Sequence, residues 1–284
     1  MTLMSKDTVA ASIERALAER FGERIAVDPA LTGLAALEKI AAYRSHRQFL
    51  PRSIEPEFLR LLCACALSAP SKSDLQQSDI LIVNDMAIRK AIVATIPNMP
   101  WINDAPAFLV FLANGERLPL VCTLRGKPFP NDHLDQFFNS VVDSAIVLAS
   151  FVGAATAAGL GCCPISAIRN HAAEVSRLLA LPDHVFPVAG LALGWPRTEP
   201  TMSLRLPLAV TVHRDRYSEA GLRELVDAYD ARRTAVQPYA TQRYTADFGR
   251  VHDYAWSEDK ARQYTKPERE TFGAFVRGKG FRLD

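Results

Sequence analysis

Apolar residues along this chain recur with two different periods. Val9, Ile13 and Leu17 fall four apart between Thr8 and Ala18, and Leu37, Ile40 and Ala41 keep helical spacing from Leu34 to Ala42, so both stretches predict amphipathic helices. Pro29 and Gly33 interrupt the pattern between them. Pro56 starts a third helix at the first-turn position, where a missing N–H is harmless. It carries Phe58, Leu59, Leu62 and Ala66 inward and ends before Ser68-Ala69-Pro70, because proline bars the preceding residue from helix.

The period then shortens. DILIV from Asp79 to Val83 and AFLVFL from Ala107 to Leu112 predict buried strands, with a helix from Met86 to about Thr95, capped by Asn84-Asp85, between them. The polar, proline-bearing stretch from Asn114 to Asn131 reads as a mobile loop over a site. A long helix follows from Leu134 to about Ala158 and stops at Gly159-Leu160-Gly161. Asn170 caps another helix, with Val175, Leu178 and Leu179 inward. Val185 to Leu193 and Leu208 to His213 predict strands, and Ser218 to Arg232 a helix. Thr234 to Asp253 is polar and weakly periodic, an irregular arm before a final helix near Pro267 to Arg277. Strands and helices mix without strict βαβα alternation, so the class is α+β.

Composition narrows the partners. The 284 residues are 49% hydrophobic and 23% charged, as globular chains are. With 33 basic against 31 acidic side chains there is no electrostatic footprint for nucleic acid, and no basic cluster for an acidic membrane. Residues 1–22 carry scattered charges and lack the apolar run of a secretory signal. Ser144 to Leu160 is uncharged but slightly short for a span, and reads as a buried helix. The expectation is a cytoplasmic chain without a membrane partner. Five cysteines, at 63, 65, 122, 162 and 163, have no framework spacing, and the adjacent pair reads as two small buried residues. No metal-site motif occurs, so no metal is expected.

Four segments carry candidate chemistry. In Tyr43-Arg44-Ser45-His46-Arg47-Gln48-Phe49, two arginines flank a serine; this is either a bidentate anion site or a solvated basic helix end. Ser68-Ala69-Pro70-Ser71-Lys72-Ser73 offers hydroxyls and free N–H groups, or is an ordinary serine-rich loop. Gly159 to Asn170 is rich in small residues that let a flat ring approach the backbone. Its glycines end a helix and its register fails the dinucleotide fingerprint, which disfavours a Rossmann reading. Arg205 stands in a constrained loop, Ser203-Leu204-Arg205-Leu206-Pro207, as a third anion contact or a surface charge.

Taken in order, RS-x-R-x-F, S-A-P-S, G-L-G, P-x-x-G-L-x-L-G-W-P and R-L-P resemble the nitroreductase family, nearest its NADPH-dependent flavin reductases and oxygen-insensitive nitroreductases. The resemblance runs from about Tyr43 to Leu208 and resumes loosely at Trp256-Ser257-Glu258 and from Tyr264 to Phe281. It implies an α+β fold with a mostly antiparallel central sheet flanked by helices, in an intertwined homodimer. The chain would be one such domain over 1–284, with a helical extension over 1–42 and an arm and helix over 234–284. FMN would lie at the subunit interface, with NADPH or NADH reducing it and nitroaromatics, quinones or flavins oxidising it by a ping-pong route. Position by position, Arg44 would hold the phosphate, Arg47 the ribityl chain or the N1/O2 edge, and Ser45 would share that segment. Arg205 matches a phosphate arginine, Ser71 a contact from the other subunit, and Pro164, Ile165, Ser166 and Ala167 the backbone against the ring. No catalytic side chain is implied.

Three departures stand out. Ser203 replaces a usual lysine, with Lys72 the candidate substitute; Met99 falls where a glutamine is usual; and the first forty residues and the longer arm after Asp230 are additions. A dehalogenase or dehydrogenase on the same fold, a flavin-binding protein without turnover, and a metabolite-binding module without flavin are the rival readings.

Overall fold

A computed structural model describes residues 5–284. Along the chain lie α1 (Lys6–Phe21), α2 (Leu34–Ala41), α3 (Pro56–Leu67), β1 (Ser78–Ile82), α4 (Met86–Ala94), β2 (Ala107–Asn114), α5 (Arg117–Leu124) and α6 (Leu134–Ala157). There follow β3 (Gly161–Ile165), α7 (Ala172–Leu178), β4 (Val185–Gly194), α8 (Leu208–Thr211), α9 (Leu222–Val236), α10 (Thr245–Phe248), α11 (Trp256–Gln263) and α12 (Phe272–Gly278). The described residues divide into two compact units. A sheet unit comprises Arg44–Pro200 and Arg269–Asp284; a helical unit comprises the residues up to Tyr43 and Thr201–Glu268.

In the sheet unit the strand order is β1-β2-β4-β3, antiparallel throughout. β2 sits inside the sheet, and successive side chains point to opposite faces. Phe108, Val110 and Leu112 join Ile92, Ile102 and Val175 on one face; Leu109 and Phe111 join Leu62, Phe151 and Ala155 on the other. A strand covered on both faces needs no polar alternation, which explains AFLVFL. α6 is long and apolar enough by composition to cross a bilayer. Its Val147, Phe151 and Ala155 instead pack with Leu59 and Leu62 of α3 and with the sheet.

The helical unit is held differently. α1 lays Ile13 on Leu34 and Ala41 of α2. α9 and α11 meet through Tyr229, edge-on to Trp256 at 5.2 Å, and through Asp230, which accepts hydrogen bonds from the N–H and hydroxyl of Ser257. Asp259, 2% exposed, accepts from Tyr254 Oη at 2.8 Å, Arg243 Nε at 3.1 Å and Lys260 Nζ at 2.9 Å. Arg262 donates to the carbonyls of Arg243 and Gly249, both at 2.9 Å. These polar anchors order much of the expected irregular arm, into which α9 extends and which contains α10.

Other expectations need correction. Leu208 to His213 is not a strand: Leu208–Thr211 is a short helix after extended Pro207. Among its described residues the helical unit has no sheet to join, so the backbone closes on itself, Val212 N–H donating to Leu208 at 2.7 Å. The 114–131 connection contains α5, where Pro119 falls in the first turn and removes no helical hydrogen bond. The helix expected from Asn170 begins at Ala172 after a 3-10 turn over Ser166–His171. The last helix, expected near Pro267, starts at Phe272.

Candidate functional site

The first candidate segment is extended in the sheet unit. His46 N–H donates to Cys162 O of β3 at 3.0 Å, Arg197 N–H to Gln48 O at 3.1 Å, and Leu50 N–H to Trp195 O at 2.8 Å. The chain from His46 to Leu50 therefore lies along β3 and the end of β4. The close approach depends on Gly161: a Cβ there would stand 2.5 Å from His46 Cγ. The ring that the small residue admits is thus the protein's own imidazole, whereas the sequence suggested a ligand. Burial is the main cause pushing the His46 pKa below the ordinary histidine value.

This docking brings two predicted segments together. Arg47 is exposed, and its charge acts on the Cys163 thiol of the strand that delivers Pro164, Ile165, Ser166 and Ala167. Pro164 and Ser166 are exposed while Ile165 is buried, as strand alternation requires, and Ala167 is half-buried. Burial pushes the Cys163 thiol up, with Arg47 opposing, and pushes Cys162 up to about 12. All five cysteines are free, and 162 and 163 are buried, so they are packing residues. Arg44 meets Glu199 at 3.0 Å. The Arg44 side chain is 20% exposed and the Glu199 carboxylate 75%, so the carboxylate is the partner that an arriving anion can displace. Ser45 is half-buried.

Ser71 lies elsewhere in the sheet unit. Its hydroxyl donates to Asp143 Oδ2 at 2.7 Å and accepts from Gln76 N–H at 2.7 Å. Asp143, buried in α6, also accepts from the N–H groups of Lys72 and Gln77, both at 3.1 Å. This one carboxylate holds a loop in which Ser73, Asp74 and Gln76 all adopt positive φ. Ser68, Ala69, Pro70 and Ser71 line a cavity of about 550 Å³, a size suited to a cofactor. None of residues 44–47 or 164–167 lines it. Lys72 pairs with Asp135 at 3.5 Å.

Arg205 belongs to the helical unit. Its backbone is fixed on both sides: its N–H donates to Arg20 O at 2.8 Å, and its carbonyl accepts from Arg232 Nη2 at 2.7 Å. The exposed side chain lines a cavity of about 470 Å³ with Tyr43, Tyr229 and Trp256. Arg243, in the arm, is engaged by Asp259.

Sequence reasoning missed Arg20, His46, Asp143 and Asp259. Asp143 left a faint signal, a carboxylate just before an uncharged run. Arg20 left none, because a basic last turn is what any helix favours.

The antiparallel sheet with helices on both faces, and the arginine-bearing segment docked along β3, define a nitroreductase-like α+β fold. A Bacillus megaterium NfrA2 structure superposes with a TM-score of 0.79 at 31% identity, covering 88% of this chain and 98% of that one. The NADPH:FMN oxidoreductase of Vibrio harveyi complexed with NAD+ gives 0.75 at 28%, covering 86% and 97%. The Nitroreductase family model matches residues 40–195, and that of the Nitroreductase family, C-terminal domain, matches 203–284. An oxygen-insensitive NADPH nitroreductase of Salmonella typhimurium is 34% identical over 64% of this chain and 74% of its own length. An FMN reductase [NAD(P)H] of Bacillus subtilis is 32% identical over 68% and 79%. This chain belongs to the nitroreductase family.

Proposed function

We propose that the chain is a cytoplasmic, homodimeric, FMN-dependent oxidoreductase that takes electrons from NADPH or NADH and passes them to nitroaromatics, quinones or flavins by a ping-pong route. The activities named for its relatives support this reading, and one local observation carries it. Exposed Arg47 follows the His46 backbone bond to β3, and its charge acts on Cys163 of that strand, next in the chain to exposed Pro164. That donor set fits a flat, electron-accepting ring with an anionic tail. Bound FMN would supply the redox chemistry, and the protein placement and electrostatics.

The chain's own residues then have separate tasks. Arg44 and Arg205 bind phosphate oxygens, for which a planar guanidinium is suited. Ser45 contributes a hydroxyl to the same segment. Arg47 lies along the ribityl chain or the N1/O2 edge, a fixed positive charge that need not reorganise when negative charge develops. The backbone of Pro164, Ile165, Ser166 and Ala167 packs on the ring. Ser71, on a cavity that none of those other sheet-unit residues lines, is offered to the cofactor of a second copy. No side chain acts as nucleophile or general base.

Arg47→Ala tests this assignment, because a charge-assisted contact would be lost. FMN binding to the apoprotein should weaken by about tenfold or more, or anaerobic flavin reduction should slow comparably. Unchanged binding and unchanged reduction kinetics would refute the role.

A further inference from the structure

A helix preceding the matched region carries in its last turn a buried cation with no assigned role. Arg20 of α1 is 7% exposed and lies outside the segment that begins at residue 40. Its guanidinium donates to the carbonyls of Ala41 at 3.1 Å, Tyr43 at 2.6 Å and Ser203 at 3.0 Å. Its own carbonyl accepts the N–H of Arg205. One residue therefore ties the end of α2, the peptide leading into Arg44, and the Arg205 loop to a single point.

A second guanidinium completes the clamp. Arg232 donates to the carbonyls of Glu19 at 2.9 Å and Arg205 at 2.7 Å. It packs over Gly22, whose φ is +79° and where a Cβ would stand 2.7 Å from Arg232 Nε. Glycine is needed there for the left-handed turn and for the space.

We propose that Arg20 is a positioning residue for the phosphate contact made by Arg205, and that its fixed charge strengthens that contact next to Ser203, which brings none. The inference rests on the FMN reading. Taking a guanidinium out of water is unfavourable until its hydrogen bonds offset the lost hydration. Three carbonyls orient this one before any anion arrives, which is the condition under which a charge acts without reorganisation.

The test uses apoprotein and two probes that differ only in the phosphate, FMN and riboflavin. In Arg20→Met the FMN dissociation constant should rise about tenfold while that of riboflavin stays within about twofold, and Arg20→Lys should recover part of the loss. Arg232→Met, which leaves Arg20 in place, should weaken FMN selectively by a smaller factor and carries the test if Arg20→Met fails to fold. Equal weakening of both flavins, or unchanged FMN affinity in a folded Arg20→Met protein, would overturn the inference alone. Wild-type apoprotein that binds neither flavin would overturn the FMN reading with it.

Discussion

The two units solve the problem of cohesion in opposite ways. The sheet unit buries a central strand between two apolar layers, with Phe108 and Val110 on one side and Leu109 and Phe111 on the other. The helical unit has a small apolar contact between α1 and α2, and depends heavily on buried charge: Arg20, Asp259 and Arg262. Apolar burial is non-directional and tolerant of small shifts, whereas a buried ion needs each partner in place. The sheet unit is thus a rigid platform for Arg47 and Pro164–Ala167. The helical unit holds Arg205 by directional bonds that single substitutions can release.

The largest effect should come from the platform. Phe111 is fully buried and edge-on to Phe151 at 5.6 Å. Phe111→Ala should cost about 3–5 kcal/mol in denaturant unfolding. A cost near that of a surface substitution would mean that β2 is not the centre of the core.

Asp259→Ala should cost less, about 2 kcal/mol, since two of its three partners, Arg243 and Lys260, keep access to solvent. Burial raises the Asp259 pKa, but hydrogen bonds from Lys260, Tyr254 and Arg243 outweigh it and leave the group below the ordinary carboxylate value. A carboxyl depressed in the folded state binds fewer protons there than when unfolded. Its stabilisation is therefore complete above the unfolded pKa of about 4 and is lost as pH falls through the lower folded value. Hydrogen exchange of α9 and α11 amides should show wild type loosening in that acid window. Asp259→Ala should be loose already at neutral pH, and equal protection in the two proteins would remove Asp259 from its anchoring role.

The same contrast explains what could be read from the chain. The strands at 78–82, 107–114 and 185–194 and the helices around 34–41, 56–67 and 134–157 were legible because one physical quantity, apolar periodicity, both forms and signals them. The arm was not. Asp259, Arg243 and Arg262 look like solvated charges until the fold brings them together, and no period marks a polar network. Leu208 to His213 misled for the converse reason: its strand-forming residues have no sheet edge among the described residues of their own unit. At the site, family order pointed to Arg44, Arg47 and Ser71. It was silent on Asp143, which shapes the Ser71 loop, and it included Gly161 in G-L-G without indicating that its missing side chain lets the arginine segment reach β3.

Gly161 gives the sharpest small test of how platform and site are joined. In Gly161→Ala the new methyl would meet His46 Cγ at 2.5 Å and Cβ at 2.8 Å. Both belong to the near end of a half-buried side chain, not to a flexible tip. The imidazole must therefore move, and with it the backbone whose N–H holds Cys162 O. Overpacking of this kind costs about 1–2 kcal/mol, no more than either change above. The informative readout is the ratio of effects. Because Arg47 follows His46 directly, cofactor affinity should fall by more than the loss of global stability requires. A Gly161→Ala, His46→Ala double variant, which removes the ring contacts and leaves only the one to Cβ, should recover part of that affinity. If the single variant lost stability with unaltered FMN binding, the arginine segment would be free to move independently of β3, and the link from a glycine in the sheet to a guanidinium in the site would be broken.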